Sequence, residues 1–231
     1  MEKETNALTP PYGRFLIRLT RPFPDFDFSF IKPVRRRAVE LLNLKRGDRV
    51  LDVGCGPGGS FPFLVQAVGP TGQVVGIEIS PDHSELARRR IARNQWENIQ
   101  VVEAAAQNAS LIGTFDGLLM FAAPDVYASQ EALENILPNL RDNARVAAFG
   151  AKLSNHRLGR VFNPLLKLLY KLSFSTTPKP DHEPWRLLAE YIEGVHVMEY
   201  FFGLMFLASG SAVRKASLDV TDENAHMQRH E

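Results

Sequence analysis

The chain predicts an α/β protein: a Rossmann-like, doubly wound seven-stranded sheet, mostly parallel, with an antiparallel C-terminal edge hairpin. Three observations carry this prediction. Short β-branched runs alternate with segments of helical periodicity between Arg49 and Ala151, the pattern of a parallel sheet covered on both faces. The first run ends in a loop almost without side chains, Gly54-Cys-Gly-Pro-Gly-Gly59. The last two runs, Val195–Phe202 and Leu204–Ser209, are separated by too little chain for a helix. They must pair antiparallel, because a parallel pair needs a long crossover.

Each element follows in order. Residues 1–27 are rich in Pro and Phe and read as an irregular arm. Phe28–Leu44 has helical spacing at Ile31, Val34, Ala38, Leu41 and Leu42. Lys45-Arg-Gly-Asp48 turns into strand one, Arg49–Val53, and Phe61–Val68 is a helix closed by Gly69-Pro-Thr-Gly72. Strand two is Gln73–Ile79. Ser80-Pro-Asp82 then caps a helix to about Asn94, with proline in its first turn. Strand three is Ile99–Ala104 and strand four Phe115–Phe121; a helix near Ser129–Leu140 precedes strand five, Arg145–Ala151. Periodicity fades after about Lys215, so the expected division is an arm at 1–27, one domain at 28–215 with a lid or insert at 152–180, and a tail at 216–231.

Composition narrows the class. A length of 231 residues at 45% hydrophobic content is enough for one good core. A formal charge of +1 gives no global field toward nucleic acid. The single cysteine, Cys55, excludes a disulfide framework and fits a reducing compartment. Met-Glu-Lys-Glu-Thr-Asn at the start is unlike a secretory signal. The longest apolar stretch, around Phe201–Ala208, is too short to span a bilayer as a helix. A cytoplasmic protein is the expectation.

The chemistry sits in Val50–Gly59. Glycines at 54, 56 and 58 permit positive φ and close approach of the backbone to a ligand, and the next helix offers unpaired N–H groups. Gly54, Gly56 and Gly59 match the dinucleotide spacing GxGxxG, a weak signal alone. Asp52 stands inside the strand, where an NAD site usually carries an apolar residue, and Glu78 ends strand two, placed to chelate ribose hydroxyls. The loop therefore offers carboxylates and no nearby base for a pyrophosphate. That field suits a ligand bearing ribose, an ammonium and a sulfonium, as in S-adenosylmethionine.

From about Ala38 to Gly210 the sequence resembles the class I S-adenosylmethionine-dependent methyltransferases, through Val50–Gly59, Glu78 in Val74-Val-Gly-Ile-Glu-Ile-Ser80, and the closing hairpin. The resemblance implies cofactor contacts from Asp52, Gly54, Cys55, Gly56, Gly58, Glu78, Ile79, Ala104, Ala105 and Phe121, with Ala105 and Phe121 lining the adenine pocket. It departs at Val102-Glu-Ala-Ala-Ala106, where Ala104 aligns with the family's adenine-binding aspartate. Either Glu103 or Gln107 replaces that group, or backbone and apolar contacts hold adenine. Phe115–Phe121 with Pro124-Asp-Val126, Arg145–Lys152, Glu183–Arg186 and Gly203…Leu207–Gly210 are similar to small bacterial methyltransferases that include betaine-lipid and phospholipid N-methyltransferases.

Methyl transfer from a sulfonium is an in-line displacement in which proximity and orientation supply most of the acceleration; a hydroxyl or carbon acceptor also needs a base. Asp125 and Tyr127 are the catalytic candidates, Tyr12 and His182 the substrate candidates, and no metal-ligand spacing appears. The plainer alternatives are a turn at Asp125, a packing anchor at Tyr12, a helix cap at His182 and packing at Cys55. Arg35-Arg-Arg37 and Arg88-Arg-Arg90 read as solvated helix faces, and Trp185 as core.

Between Ala151 and Pro180 there is no acid, while Lys152, Arg157, Arg160, Lys167, Lys171 and Lys179 are basic. Leu158, Phe162, Leu165, Leu166, Leu169 and Leu172 form an apolar helical face. The segment is read as a lid packed on its own domain or, alternatively, as peripheral membrane contact through 157–172. The acceptor is expected to be a small apolar or amphipathic molecule, such as a lipid headgroup amine, and not nucleic acid. The rival functions are an NAD-dependent oxidoreductase and a catalytically inactive S-adenosylmethionine-binding protein.

Overall fold

A computed structural model describes residues 31–173 and 183–212. The expected arm at 1–27, the tail at 216–231, Tyr12, Lys179 and His182 lie outside them.

The central strand β1 (Arg49–Val53) is Arg-Val-Leu-Asp-Val, and everything after Arg49 is buried. It pairs in parallel with β2 (Gln73–Glu78) on one side and β4 (Phe115–Phe121) on the other. β3 (Ile99–Glu103) extends the sheet beyond β2, and β5 (Leu140–Ala151) beyond β4, both in parallel. The chain then returns as a hairpin, β6 (Ile192–Tyr200) and β7 (Met205–Ala212). β7 pairs antiparallel with both β5 and β6, giving the seven-stranded order β3-β2-β1-β4-β5-β7-β6. The hairpin expected from its short connection is present, and the antiparallel strand lies inside it, with β6 at the edge.

Helices cover both faces. Alternation along β1 sends Leu51 and Val53 to one core with Met120, Tyr127, Ile136 and Phe206. Val50 points to the other, with Phe61, Leu64, Phe121, Phe149 and Ala38. By the same alternation Asp52 faces this second core, under α1 (Lys32–Leu41) and α2 (Phe61–Val68). On α3 (Pro81–Asn94), the Ser80 hydroxyl caps the helix by accepting from the His83 N–H at 3.4 Å, as the Ser-Pro-Asp signal predicts.

Boundaries differ where local sterics intervene. A short helix, α4 (Pro124–Tyr127), follows β4. The helix expected to reach Leu140 is α5 (Gln130–Ile136), continued only by a 3₁₀ turn at Leu137–Asn139. Pro138 has no N–H to continue the α-helical ladder. In the 152–180 segment a 3₁₀ turn at Gly159–Phe162 leads into α6 (Asn163–Ser173). After the gap in the described residues, α7 (Arg186–Ala189) precedes β6. Trp185 is core, packed on Phe206 with ring centroids 4.8 Å apart.

Candidate cofactor site

The site lies at the C-terminal ends of β1, β2 and β4, where an open parallel sheet presents its loops to a ligand. The glycine loop is drawn onto β2: the Gly54 and Cys55 N–H groups both donate to the Ile77 carbonyl, at 2.8 and 3.1 Å. Two of its glycines have different reasons to be glycine. Gly54 (φ +71°) would place a Cβ 2.6 Å from the Ala123 Cβ, so it is required by packing. Gly56 (φ +55°) would place a Cβ with nothing within 4 Å, so its bare backbone faces open space. Gly54→Ala is therefore expected to destabilise the fold by about 2–4 kcal/mol through strain and overlap. Gly56→Ala should cost only about 1–2 kcal/mol of stability while weakening the cofactor. Urea melts with S-adenosylhomocysteine titrations separate the two effects, and equal destabilisation would contradict this division.

Glu78 is nearly buried and holds the loop from the side. Its Oε2 accepts from the Gly56 N–H and its Oε1 from the Ser80 N–H, both at 2.9 Å. The His83 imidazole stands 3.8 Å from Oε1. Each carboxylate oxygen keeps a lone pair in reserve, so ribose hydroxyls can be bound without dismantling these bonds.

Asp52 is fully buried, and neither carboxylate oxygen has a hydrogen-bond partner among the described residues. Burial pushes its carboxyl up to about 7; the Arg35 guanidinium opposes the rise and Glu78 adds to it. A buried, unmatched carboxylate is costly, and a cationic ligand at this strand end would relieve it. The neighbouring Cys55 thiol is pushed well above its usual range by burial and by Asp52 and Glu78. Cys55 is thus a neutral packing residue against Gly76, as its place in the loop suggests.

Arg35 corrects the reading of its triplet as a solvated face. Its Nη1 donates to the Ser60 hydroxyl at 2.9 Å, and its guanidinium lies 4.0 Å above the Phe121 ring. The signal was present: Ile31, Arg35, Ala38 and Leu42 share a helical stripe. Arg90 also turns inward, its Nη1 donating to the Gly58 carbonyl at 3.0 Å.

The Phe121 ring stacks on Phe149 at 4.3 Å in the core under α1, whereas Ala105 and Ala106 are buried beyond β3. Two strands, β2 and β1, separate β3 from β4. The Ala104 N–H donates to the Glu78 carbonyl at 3.0 Å, and Ile79 is half-exposed. Glu103 is tied to Arg88 at 3.1 Å, and Gln107 is exposed in the 3₁₀ turn Ala106–Asn108.

Tyr127 is also corrected. It is fully buried, edge-on to Phe206, because α4 turns it into the core. Asp125, on the same short helix, is exposed at the sheet end that carries the glycine loop. Among the described residues no His/Cys/Asp/Glu group is placed to hold a metal ion.

The strand order and the positive-φ glycine loop at the C-terminal ends of β1 and β2 are those expected of a class I S-adenosylmethionine-dependent methyltransferase domain. Residues 50–145 match the family described as a methyltransferase domain. Similar relatives include a demethylmenaquinone methyltransferase from Staphylococcus saprophyticus, 29% identical over 64% of this chain and 60% of its own length. Another is the ubiquinone/menaquinone biosynthesis C-methyltransferase UbiE of Ectopseudomonas mendocina, 30% identical over 68% of this chain and 63% of its own. The chain thus spans less than two thirds of the length of these curated relatives. In fold it is similar to a SAM-dependent methyltransferase from Aquifex aeolicus, with TM-score 0.57, 20% identity and coverage of 82% of this chain and 100% of the other. A SAM-dependent O-methyltransferase from Thermotoga maritima gives 0.60 at 16% identity, covering 87% and 72%.

Proposed function

We propose that this chain transfers a methyl group to a small apolar or amphipathic acceptor, and that a lipophilic ring of the quinol type is the first class to test. The carrying observation is Asp52, a buried carboxylate without a hydrogen-bond partner among the described residues, on the strand that leads into Gly56, where a Cβ would meet open space. These residues fit the cofactor. When bound, S-adenosylmethionine supplies an electrophilic methyl group on a sulfonium. In this reading Asp52 meets the positively charged part of the ligand, Glu78 orients the ribose, and the Gly56 backbone permits close approach. Arg35, held over Phe121, sits on the same face as Asp52 and supports it by charge.

Support for the acceptor class comes from the relatives, two of which are named for menaquinone or ubiquinone methylation. A lipid headgroup amine, suggested by the downstream sequence motifs, is the second class. A ring-carbon acceptor requires a base, and Asp125 is the candidate at this sheet end. The arm at 1–27 and the 152–180 insert are proposed to cap the acceptor side.

The test is label transfer from methyl-labelled S-adenosylmethionine to a panel of a lipophilic hydroquinone, phosphatidylethanolamine and RNA. Label in the extracted hydroquinone, lost in Asp125→Asn, is the expected result. Label in phosphatidylethanolamine alone favours the amine. Binding of S-adenosylhomocysteine without transfer to any acceptor favours a binding protein, and stabilisation by NAD in preference to S-adenosylhomocysteine would overturn the cofactor reading.

A further inference from the structure

We propose that a composite apolar face, built from residues 158–169 and the β6–β7 turn, docks on an anionic lipid surface. The turn is the part that helical periodicity could not supply. Phe201 and Phe202 both have left-handed backbones, at φ +51° and +56°, and both side chains are exposed. Bulky residues are rarely held in that conformation, and such outliers concentrate where a surface is used.

The two pieces form one surface. The Ser154 hydroxyl bonds the Phe202 carbonyl, and the His156 ring stacks on the Phe202 ring at 5.8 Å. Asn163 clasps Ser154 through both ends of its amide, at 2.9 and 3.0 Å, fixing the start of α6 against the same segment. A Cβ on Gly159 would lie 2.4 Å from the Phe202 carbonyl oxygen, so the 3₁₀ turn abuts the hairpin directly. On this frame Val161 is 76% exposed, Leu158 57%, Leu168 55%, Leu165 54% and Phe162 52%. A contiguous apolar patch of this kind marks an interaction site.

Charge selects the occupant. Arg157, Arg160 and Lys167 are exposed along the patch, and the stretch 152–180 contains no acid. Lys152 is excluded from this set, since it pairs with Glu199 and lies over the Trp185 ring. A second copy would bring basic residues against basic residues. Residues 1–30 carry Lys3, Arg14, Arg18 and Arg21 against Glu2, Glu4, Asp25 and Asp27, so they offer no net complementary charge. An anionic bilayer complements both features, apolar insertion and headgroup contact. No helix among the described residues is long and apolar enough to cross a membrane.

Location ties the patch to the site. β5 and β6 run parallel to β1, so Ala151 and Tyr200 end at the same sheet end as the glycine loop. The inference deepens the reading of an amphipathic acceptor, which a lipid-docked enzyme would meet in the bilayer. Its test needs no methyl transfer, so the two can fail separately.

The experiment is co-sedimentation of the full chain, without cofactor, with phosphatidylcholine vesicles and with vesicles containing 40% phosphatidylglycerol as an anionic probe. Wild type should partition to the anionic vesicles, with the bound fraction falling in high salt. Leu165→Asp/Leu169→Asp should reduce partitioning by about tenfold or more, as should Arg157→Glu/Arg160→Glu/Lys167→Glu. Phe202→Ser should lower it as well, because the turn belongs to the same surface. Unchanged thermal shift with S-adenosylhomocysteine certifies that each variant is folded. Absence of wild-type binding, equal binding to neutral vesicles, or unchanged binding by the folded charge variant each overturns the proposal. So does a wild-type dimer that Leu165→Asp/Leu169→Asp makes monomeric, since a second copy would then cover the face.

Discussion

Asp52→Asn is expected to stabilise the cofactor-free protein above pH 7 while weakening S-adenosylmethionine by about 10- to 100-fold. The two effects share one cause. The native carboxyl titrates at about 7 against an ordinary value of 3.8, so between those pH values the folded state retains a proton that the unfolded state has released. Stability from this group is greatest below about pH 4, declines as pH rises to about 7, and is flat above that. A difference of about three pK units corresponds to at most about 4 kcal/mol, so the neutral asparagine should gain about 2–4 kcal/mol at pH 8 and almost nothing near pH 4. Urea titrations at the two pH values check this. The loss of affinity follows from removing a charge-assisted contact worth about 1.5–3 kcal/mol. In wild type, binding a cation must ionise Asp52. Affinity should therefore rise with pH, level off above about 7, and release a proton below it. Calorimetry in buffers of different ionisation enthalpy measures that proton directly. Unaltered affinity in the asparagine variant would remove Asp52 from the cofactor site.

Glu78→Gln should weaken the cofactor by a comparable factor, about 10- to 100-fold, despite its near-identical shape. Both carboxylate oxygens accept backbone N–H groups, one from Gly56 and one from Ser80. Glutamine has a single acceptor oxygen, so its amide must point a donor at one of two N–H donors and release that side of the loop. The cost is a buried unsatisfied donor, about 1–3 kcal/mol, in addition to the lost charge toward ribose. Calorimetry with S-adenosylhomocysteine, alongside hydrogen exchange at Gly56 and Ser80, reads both parts. Faster exchange with unchanged affinity would make Glu78 a scaffold residue alone.

Much of this architecture was legible because the signals are local. The strand residues Arg49–Val53 and Phe115–Phe121, the α2 boundaries and the Ser80 cap depend on neighbours within a few positions. Where distant groups decide, the local reading stopped short. Tyr127 follows β4 at a position suited to a substrate contact, yet α4 rotates it onto Phe206. Arg35 was hidden in a run of three arginines, only one of which points toward Ser60 and Phe121.

Periodicity and turn chemistry alone determined the α/β alternation and the closing hairpin, because each is written in residue type and spacing. The expectation of a glycine loop with no base nearby fails, since Arg35 reaches Ser60 and Arg90 the Gly58 carbonyl. Only the tertiary structure decided that Asp52 has no hydrogen-bond partner among the described residues, that Gly54 answers to packing and Gly56 to open space, and that Phe202 lies against Ser154 and His156. Those properties depend on what stands opposite a side chain, and spacing along one chain does not encode what long-range contact brings there.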